Sequence, residues 1–182
     1  AERQKKTAPG LDDKMLLGWN AMTCNALTKA FKYTQHHSYK ELAIKNAEFL
    51  IKNFILDADN NFNVFHTYKN GKAKQKAFID DTALFIQALI AVYQITFNAT
   101  YLFKAKQLAD YAVTEFYNQN ESVFYFSAKS QNDIILRKTE LTDSVTPSGN
   151  SVMAQNLSKL AVIFDNDEYL RMSNSMLSAI ML

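Results

Sequence analysis

The sequence predicts an all-α fold, an α/α toroid in which inner and outer helices alternate along the chain. A polar helix opening recurs at a spacing of 68 residues (80 − 12 and 148 − 80). The three openings begin at Asp12, Asp80 and Ser148. A tyrosine followed at intervals of four by small or apolar residues forms a second marker, with spacings of 62 and 68 residues (101 − 39 and 169 − 101). A period this long, with room for extended insertions, favours a ring of helical hairpins over an open solenoid, whose repeats are shorter.

Each predicted repeat contains an inner helix, an outer helix and an extended insertion. The repeats span about residues 12–79, 80–147 and 148–182, within a single partial toroid domain. The second inner helix is apolar nearly all round, which is typical of a helix buried on most sides, whereas the outer helices carry one apolar stripe. Only four Gly and two Pro occur, which favours long helices over a many-turned β fold. The predicted inner helices are 13–34, 81–97 and 150–164, and the predicted outer helices are 38–54, 100–116 and 167–182.

Short β-hairpins are predicted between each outer helix and the next inner helix. Residues 62–69 and 72–78 flank an Asn-Gly dipeptide, the strongest short signal for a hairpin turn. Residues 122–128 and 134–138 flank a second polar turn. The links from inner to outer helices are very short, so the hairpins and the three polar openings are predicted to gather at one end of the ring. That end is the candidate site.

Composition argues against several classes of function. The net charge of +2 is spread along 182 residues without a basic stripe, so no nucleic-acid partner is expected. The longest apolar run, residues 83–95, is shorter than the roughly 20 residues that span a bilayer, so no membrane partner is expected. No His or Cys cluster has metal-ligand spacing, and neither a metal nor a cofactor is expected. The single cysteine, Cys24, cannot form an internal disulfide, which fits a cytoplasmic location.

Two Asp-Asp pairs supply the catalytic candidates. One carboxylate of each pair suits an N-cap, because it accepts hydrogen bonds from free helix amides and favours the positive end of the helix dipole. The second carboxylate would lie at the mouth of a shared cavity. Two carboxylates from different elements can divide acid and base roles there, as in glycoside hydrolysis. Asp13 and Asp81 are the predicted catalytic pair, and Asp12 and Asp80 are predicted to bind substrate or to cap.

Other side chains near the openings leave two interpretations open. Trp19, the single tryptophan, fits either core packing or a flat platform for a sugar ring, with Asn20 hydrogen-bonding beside it. Ser148 and Asn150 fit either the start of the third inner helix or contact with a ligand. Lys14 adjoins the first Asp pair and is predicted to bind substrate.

The three histidines fall at opposite ends of the predicted ring. His66 lies on the first hairpin, at the candidate end, where it fits either a structural role or a general base with a suitable pKa. His36 and His37 lie in a tight link at the other end, where neither acid–base chemistry nor metal binding is expected.

Three motifs in this order resemble the helical region of the thioredoxin-domain-containing proteins related to spermatogenesis-associated protein 20. The motifs are Leu11-Asp12-Asp13-Lys14 followed by Trp19-Asn20, then Ile79-Asp80-Asp81-Thr82, then Pro147-Ser148-Gly149-Asn150. That region is similar to the six-hairpin glycosidases and to N-acylglucosamine 2-epimerase-like toroids. Two positions depart from the usual pattern, since Ala21 replaces a glycine and Thr82 replaces an aromatic residue.

The resemblance implies a longer protein with a thioredoxin-like domain, which is absent from this chain, and a six-hairpin toroid of which about three hairpins are present. It implies a carbohydrate-handling enzyme of the hydrolase or epimerase type, acting on a small-molecule ligand such as a sugar. The alternative is a non-catalytic helical scaffold or ligand-binding module attached to the thioredoxin-like domain. An open half-ring exposes apolar inner faces, so two copies are expected to associate as a homodimer.

Overall fold

The computed structural model describes residues 6–7, 10–58, 61–132 and 134–180. Within these ranges the chain forms helical hairpins connected by short strands. The helices are α1 (Leu17–Thr34), α2 (His37–Phe54), α3 (Ile79–Thr96), α4 (Ala99–Phe116), α5 (Gly149–Phe164) and α6 (Asp167–Ile180). The strands are β1 (Met15–Leu16), β2 (Ile55–Ala58), β3 (Asn61–Lys69), β4 (Lys72–Lys76), β5 (Tyr117–Asn118) and β6 (Val123–Phe124). None of the described helices combines the length and the apolar character that a bilayer crossing requires.

The alternation of inner and outer helices is confirmed. Helix α3 packs against α1 on one side, α5 on the other and α4 behind it. Its apolar residues run around nearly the whole circumference, and 13 of its 18 residues are buried. Helices α2, α4 and α6 each cover the preceding inner helix and bury a single stripe of small and apolar side chains. The core therefore lies between the two layers and is centred on α3.

The second sequence marker gives the true register of the repeats. Each inner helix ends in a left-handed residue whose N–H bonds back to the carbonyl four residues earlier. Those residues are Gln35, Phe97 and Asp165, spaced by 62 and 68 residues (97 − 35 and 165 − 97). Marker tyrosines also connect the outer helices, because Tyr101 donates to Glu48 of α2 and Tyr169 donates to Asp110 of α4.

The first sequence marker is wrong at its first step. Helix α1 begins at Leu17 instead of Asp13, because Met15 and Leu16 form β1 and pair with β3. The residue 62 positions before Asp80 is Gly18, so the pair at Asp12 is not the structural equivalent of the pair at Asp80. The two pairs consequently occupy different environments.

One of the two predicted hairpins is confirmed. Strands β3 and β4 pair around Asn70 and Gly71, whose φ angles of 51° and 75° are those of a tight hairpin turn. The second prediction is wrong, because β6 pairs with β5 and residues 134–138 form no strand. That segment is instead held by Arg137, which donates to the Ser127 carbonyl at 2.9 Å.

Candidate functional site

A pocket of about 140 Å³ opens at the end of the molecule where α1 and α3 begin. It combines carboxylates, an imidazole and aromatic rings. Its lining residues are Leu16, Gly18, Trp19, His66, Phe78, Asp80, Asp81, Leu84, Phe126 and Thr146. The structure thus brings together three residues that the sequence predicted for the site, Trp19, Asp80 and Asp81, with the histidine of the first hairpin.

Asp81 connects three separate elements at the base of the pocket. One carboxylate oxygen, Oδ1, accepts a hydrogen bond from the N–H of Gly18 in the first turn of α1 at 3.1 Å. The other, Oδ2, accepts from the N–H of Phe78 at 3.0 Å and contacts Nδ1 of His66 at 2.7 Å. Asp81 is only 5% exposed. Both oxygens are therefore engaged in holding the site together.

His66 is oriented by this carboxylate. Strand β3 presents its imidazole to the start of α3, where Nδ1 bonds Asp81 and Nε2 is left for the pocket. The hydrogen bond from Asp81 raises the pKa of His66 above its ordinary value, and the negative charge adds to this, while partial burial and the charge of Lys14 oppose it. The ring also packs edge-on against Phe78, with centroids 5.1 Å apart. These contacts fix the imidazole in one orientation.

Asp80 lies beside Asp81 but in a different electrostatic environment. Its Oδ1 accepts a hydrogen bond from the N–H of Gly149, the first residue of α5, at 2.9 Å. Burial raises the pKa of Asp80 to about 6, and the nearby charges of Glu140 and Asp81 act in the same direction, whereas the bond from Gly149 lowers it. Asp80 can therefore gain and lose a proton near neutral pH.

Aromatic rings form the apolar wall of the pocket. Trp19 is 64% exposed, so it is not the core residue that one interpretation of the sequence favoured. Phe78 and Phe126 stack with centroids 4.6 Å apart and an interplanar angle of 16°. Flat apolar surfaces beside hydrogen-bonding groups suit a ring-shaped ligand with an apolar face and polar edges.

The predicted pairing of Asp13 with Asp81 in one pocket is not formed. Asp13 lies in the exposed segment before β1, where it forms an ion pair with Lys69. Asp12 forms an ion pair with Lys14 at 3.3 Å, and neither residue lines the pocket. The physical reason is the late start of α1, which leaves the first Asp-Asp pair several residues outside the helix. No helix amide is close enough for this pair to cap α1.

The remaining predicted residues serve the ends of the helices. Asn20 donates from Nδ2 to the Leu16 carbonyl at 2.8 Å. Ser148 is the N-cap of α5 and accepts from Ser151 N–H, as one of the two interpretations proposed. The fully buried Asn150 accepts from the N–H of Phe124 at 2.7 Å. Its amide nitrogen donates to the carbonyls of Phe124 and Glu140. None of the three lines the pocket.

Several lining residues were missed from the sequence. Gly18 carried a usable signal, because a glycine in the first turn of a helix permits close approach by a neighbouring element. A Cβ built at this position would lie 3.0 Å from Asp81 Oδ1. Phe126 and Thr146 carried none, since they reach the pocket through long-range folding of the segment between β6 and α5. In the part of the chain that the structure describes, no group of three or more His, Cys, Asp or Glu could hold a metal ion.

Comparison with curated proteins identifies long relatives. The chain is 32% identical over 177 residues to an uncharacterised protein of Caenorhabditis elegans, which covers 94% of this chain and 24% of that protein. It is 25% identical over 165 residues to spermatogenesis-associated protein 20 of Rattus norvegicus, covering 87% of the chain and 21% of the relative. The chain thus spans about a quarter of the length of the curated relatives it matches. No protein-family profile matches it.

Comparison with solved structures identifies the fold. A family 76 α-mannanase of Bacteroides thetaiotaomicron superposes with a TM-score of 0.74 and 18% identity, over 96% of this chain and 46% of that one. A D-mannose isomerase gives a TM-score of 0.69 and 14% identity, over 90% and 40%. An inactive α-1,6-mannanase variant of Salegentibacter, in complex with α-1,6-mannotetrose, gives 0.70 and 12%, over 91% and 46%. The chain is therefore a distant homologue of spermatogenesis-associated protein 20 that has the six-hairpin, glycosidase-like α/α toroid fold over about half of that ring.

Proposed function

We propose that the pocket binds a sugar ring and that His66 and Asp80 exchange protons with it, in a reaction of the isomerase or epimerase type. The observation that carries this proposal is the 2.7 Å contact between His66 Nδ1 and the buried carboxylate of Asp81, beside a second carboxylate with a raised pKa. One titratable pair with its own orienting group is what general acid–base catalysis requires.

The two pKa shifts assign the roles. With its pKa raised to about 6, Asp80 is ionised at neutral pH and still basic enough to accept a proton. The pKa of His66 is raised above 6.5 because Asp81 stabilises the imidazolium. Asp80 is therefore the general base and His66 the general acid. Between about pH 6 and the raised pKa of His66, both groups are in the required state, so the rate should follow a bell-shaped pH profile.

The proposed reaction is internally balanced. The Asp80 carboxylate removes the proton from the carbon next to the sugar carbonyl, and His66 donates its Nε2 proton to the carbonyl oxygen. The product of this step is a neutral enediol. Return of the proton to the neighbouring carbon gives the isomeric sugar, and return to the opposite face of the same carbon gives the epimer. Trp19 and the stacked pair Phe78 and Phe126 would hold the ring apart from bulk water.

Glycoside hydrolysis is the second candidate. Its support is the likeness to α-mannanases, one of which is an inactive variant changed at two consecutive aspartates. In this chain Asp80 and Asp81 are consecutive, but Asp81 is buried with both oxygens bonded. It is a poor nucleophile or base in that arrangement, and a hydrolase would need a second carboxylate from another part of the longer protein.

Solvent exchange in the full-length protein distinguishes these reactions. Incubation with D-mannose in D₂O should place deuterium at carbon 2, and NMR should detect the isomer or epimer. We expect Asp80→Asn to slow this exchange by about 100-fold or more, within the range for a general base. Asp167→Asn, on the exposed first turn of α6, is the matched control and should retain the rate. Mannose released from an α-1,6-mannotriose without exchange would favour the hydrolase.

Two further outcomes bear on the sequence-based predictions. Saturable sugar binding with neither exchange nor hydrolysis would favour the non-catalytic ligand-binding module. Loss of turnover in Asp13→Asn would support the predicted role of Asp13, with its partner supplied by another part of the protein. A cytoplasmic location stays a prediction.

A further inference from the structure

A second cavity, of about 470 Å³, lies on the β3–β4 hairpin and is lined by lysines. We call it the basic cavity. Its lining residues are Lys14, Thr67, Lys69, Asn70, Lys72 and Lys74. It adjoins the sugar pocket along one short segment, because Leu16 lines the sugar pocket and Lys14, two residues earlier, lines the basic cavity. The charge of Lys14 also acts on His66.

Strand register places these lysines side by side. Lys69 lies directly opposite Lys72 across the hairpin. Because Met15 lies opposite Tyr68 on the other edge of β3, Lys14 comes next to Lys69 as well. Like charges directly opposite each other in a sheet destabilise it. Three lysines in one row therefore need counter-charges to be tolerated.

The protein supplies only part of that counter-charge. Asp13 pairs with Lys69, and Asp12 pairs with Lys14. Lys72 and Lys74 are both exposed, and in the described part of the chain no carboxylate lies within ion-pair distance of either ammonium group. Four cationic side chains thus face two carboxylates. The excess positive charge is concentrated on the side of the cavity formed by β4.

The form of the cavity favours a compact phosphate over a nucleic acid. Lysine binds phosphate as a mobile point charge and can converge on it from several directions. Proteins that bind single-stranded nucleic acids add aromatic side chains on which the bases stack. None of the described residues that line this cavity is aromatic.

We propose that the basic cavity binds the phosphate group of a small phosphate monoester, with Lys72 and Lys74 as its main contacts. The phosphate dianion would supply the counter-charge that the row of lysines lacks. The proposal rests on the hairpin alone and does not require the neighbouring pocket to be catalytic.

Titration calorimetry with inorganic phosphate and with glucose 6-phosphate tests the proposal. We expect saturable binding of both ligands that weakens as salt is added, since the contacts are exposed charges. Glucose should not compete for this site. The double variant Lys72→Gln/Lys74→Gln should weaken binding by about tenfold, because two charge-assisted contacts are lost. The matched control is Lys45→Gln/Lys52→Gln, at exposed positions of α2, and its affinity should stay within about twofold.

Three results would overturn the proposal. They are no saturable binding of either phosphate ligand, an equal loss of affinity in the control variant, and tight binding of a single-stranded RNA oligonucleotide without binding of phosphate. Affinity is measured with no sugar turnover, so a negative result would leave the proposed sugar chemistry standing. Conversely, loss of deuterium exchange in Asp80→Asn with intact phosphate binding would affect only the sugar pocket.

Discussion

At the scale of single residues, two adjacent aspartates have different roles because their surroundings differ. Asp81 is buried and bonded on both oxygens, so it positions other groups. Asp80 is partly exposed and its burial raises its pKa to about 6, so it can exchange protons. The sequence showed two identical side chains and could not tell these roles apart. The distinction arises from Gly18 and His66, which reach Asp81 from distant segments.

The first prediction concerns the charge of Asp81. In Asp81→Asn, we expect the pKa of His66 to fall, because its hydrogen-bonded counter-charge is lost while its partial burial remains. The raised pKa means that the stabilisation from this pair is fully present below pH 6.5 and is lost as the pH rises through the folded value. Histidine NMR titration measures the shift, with the signals of His36 and His37 as internal references. An unchanged His66 titration would show that the contact is absent in solution.

The second prediction concerns the charge of Asp80. Its folded pKa of about 6 lies above the ordinary 3.8, so the folded state binds the proton more tightly. The favourable contribution is fully present below pH 3.8 and is lost as the pH rises to 6, so the charged form opposes folding at pH 7.5. Asp80→Asn keeps an oxygen for Gly149 N–H and removes the charge.

We expect Asp80→Asn to gain stability at pH 7.5 relative to pH 3.5, compared with the unmodified protein. After allowance for solvent screening of this partly exposed group, the gain should be about 1 kcal/mol. Urea unfolding at the two pH values gives the difference. If both proteins show the same dependence on pH, Asp80 does not titrate as described. Asp167→Asn provides the comparison at an exposed site.

At the scale of elements, the pocket depends on close approach between the starts of the inner helices. Asp81 in the first turn of α3 accepts from Gly18 of α1, and Asp80 accepts from Gly149 of α5. Each carboxylate thus bonds a free amide at the start of a neighbouring inner helix, where the helix dipole is positive. The expectation that these carboxylates cap only their own helix was therefore incomplete. Glycine at both neighbouring positions makes the approach possible.

The third prediction tests this approach. A Cβ at position 149 would lie 3.0 Å from the backbone nitrogen of Asp80 and would collide with its carboxylate. We expect Gly149→Ala to lower the free energy of unfolding by about 1–3 kcal/mol, as overpacking does. Gly10→Ala is the control, since nothing lies within 4 Å of its added Cβ. Urea denaturation of both variants measures the effect, and equal stabilities would contradict the tight contact between α3 and α5.

The elements that could be predicted were those with strong local patterns. Helical periodicity located α2 to α6 to within about two residues at their starts, and the Asn-Gly signal located the β3–β4 turn. The start of α1 could not be read in this way, because β1 depends on pairing with residues 67–68, far along the chain. The second hairpin failed for the same reason. Its strand β6 pairs with the residues that directly follow α4.

At the scale of the whole molecule, the chain has half of the helices of a related ring. Solved toroids are covered over 40–46% of their length by the three structures compared. Apolar side chains consequently remain exposed on both flanking inner helices, among them Tyr33 of α1 at 89% and Val162 of α5 at 80%. Exposed apolar surface of this kind favours association.

The fourth prediction is the homodimer that the sequence suggested. For this 182-residue chain we expect light scattering to give about twice the 20.7 kDa mass of one copy, because pairing would cover the exposed apolar side chains. Val162→Glu should shift the mass towards one copy by placing a charge in the interface. A mass of one copy at all concentrations would refute the dimer.

The central claim, that the pocket formed by Trp19, His66, Asp80 and Asp81 binds a sugar, is tested most directly by tryptophan fluorescence. Trp19 is the single tryptophan of the chain and lines the pocket, so its emission reports on this site alone. The account predicts a saturable change in emission on titration with D-mannose or α-1,6-mannotriose, with affinity reduced by about tenfold in Asp80→Asn through loss of a charge-assisted contact. Emission that stays constant with both sugars, or that changes equally in Asp80→Asn, would contradict it.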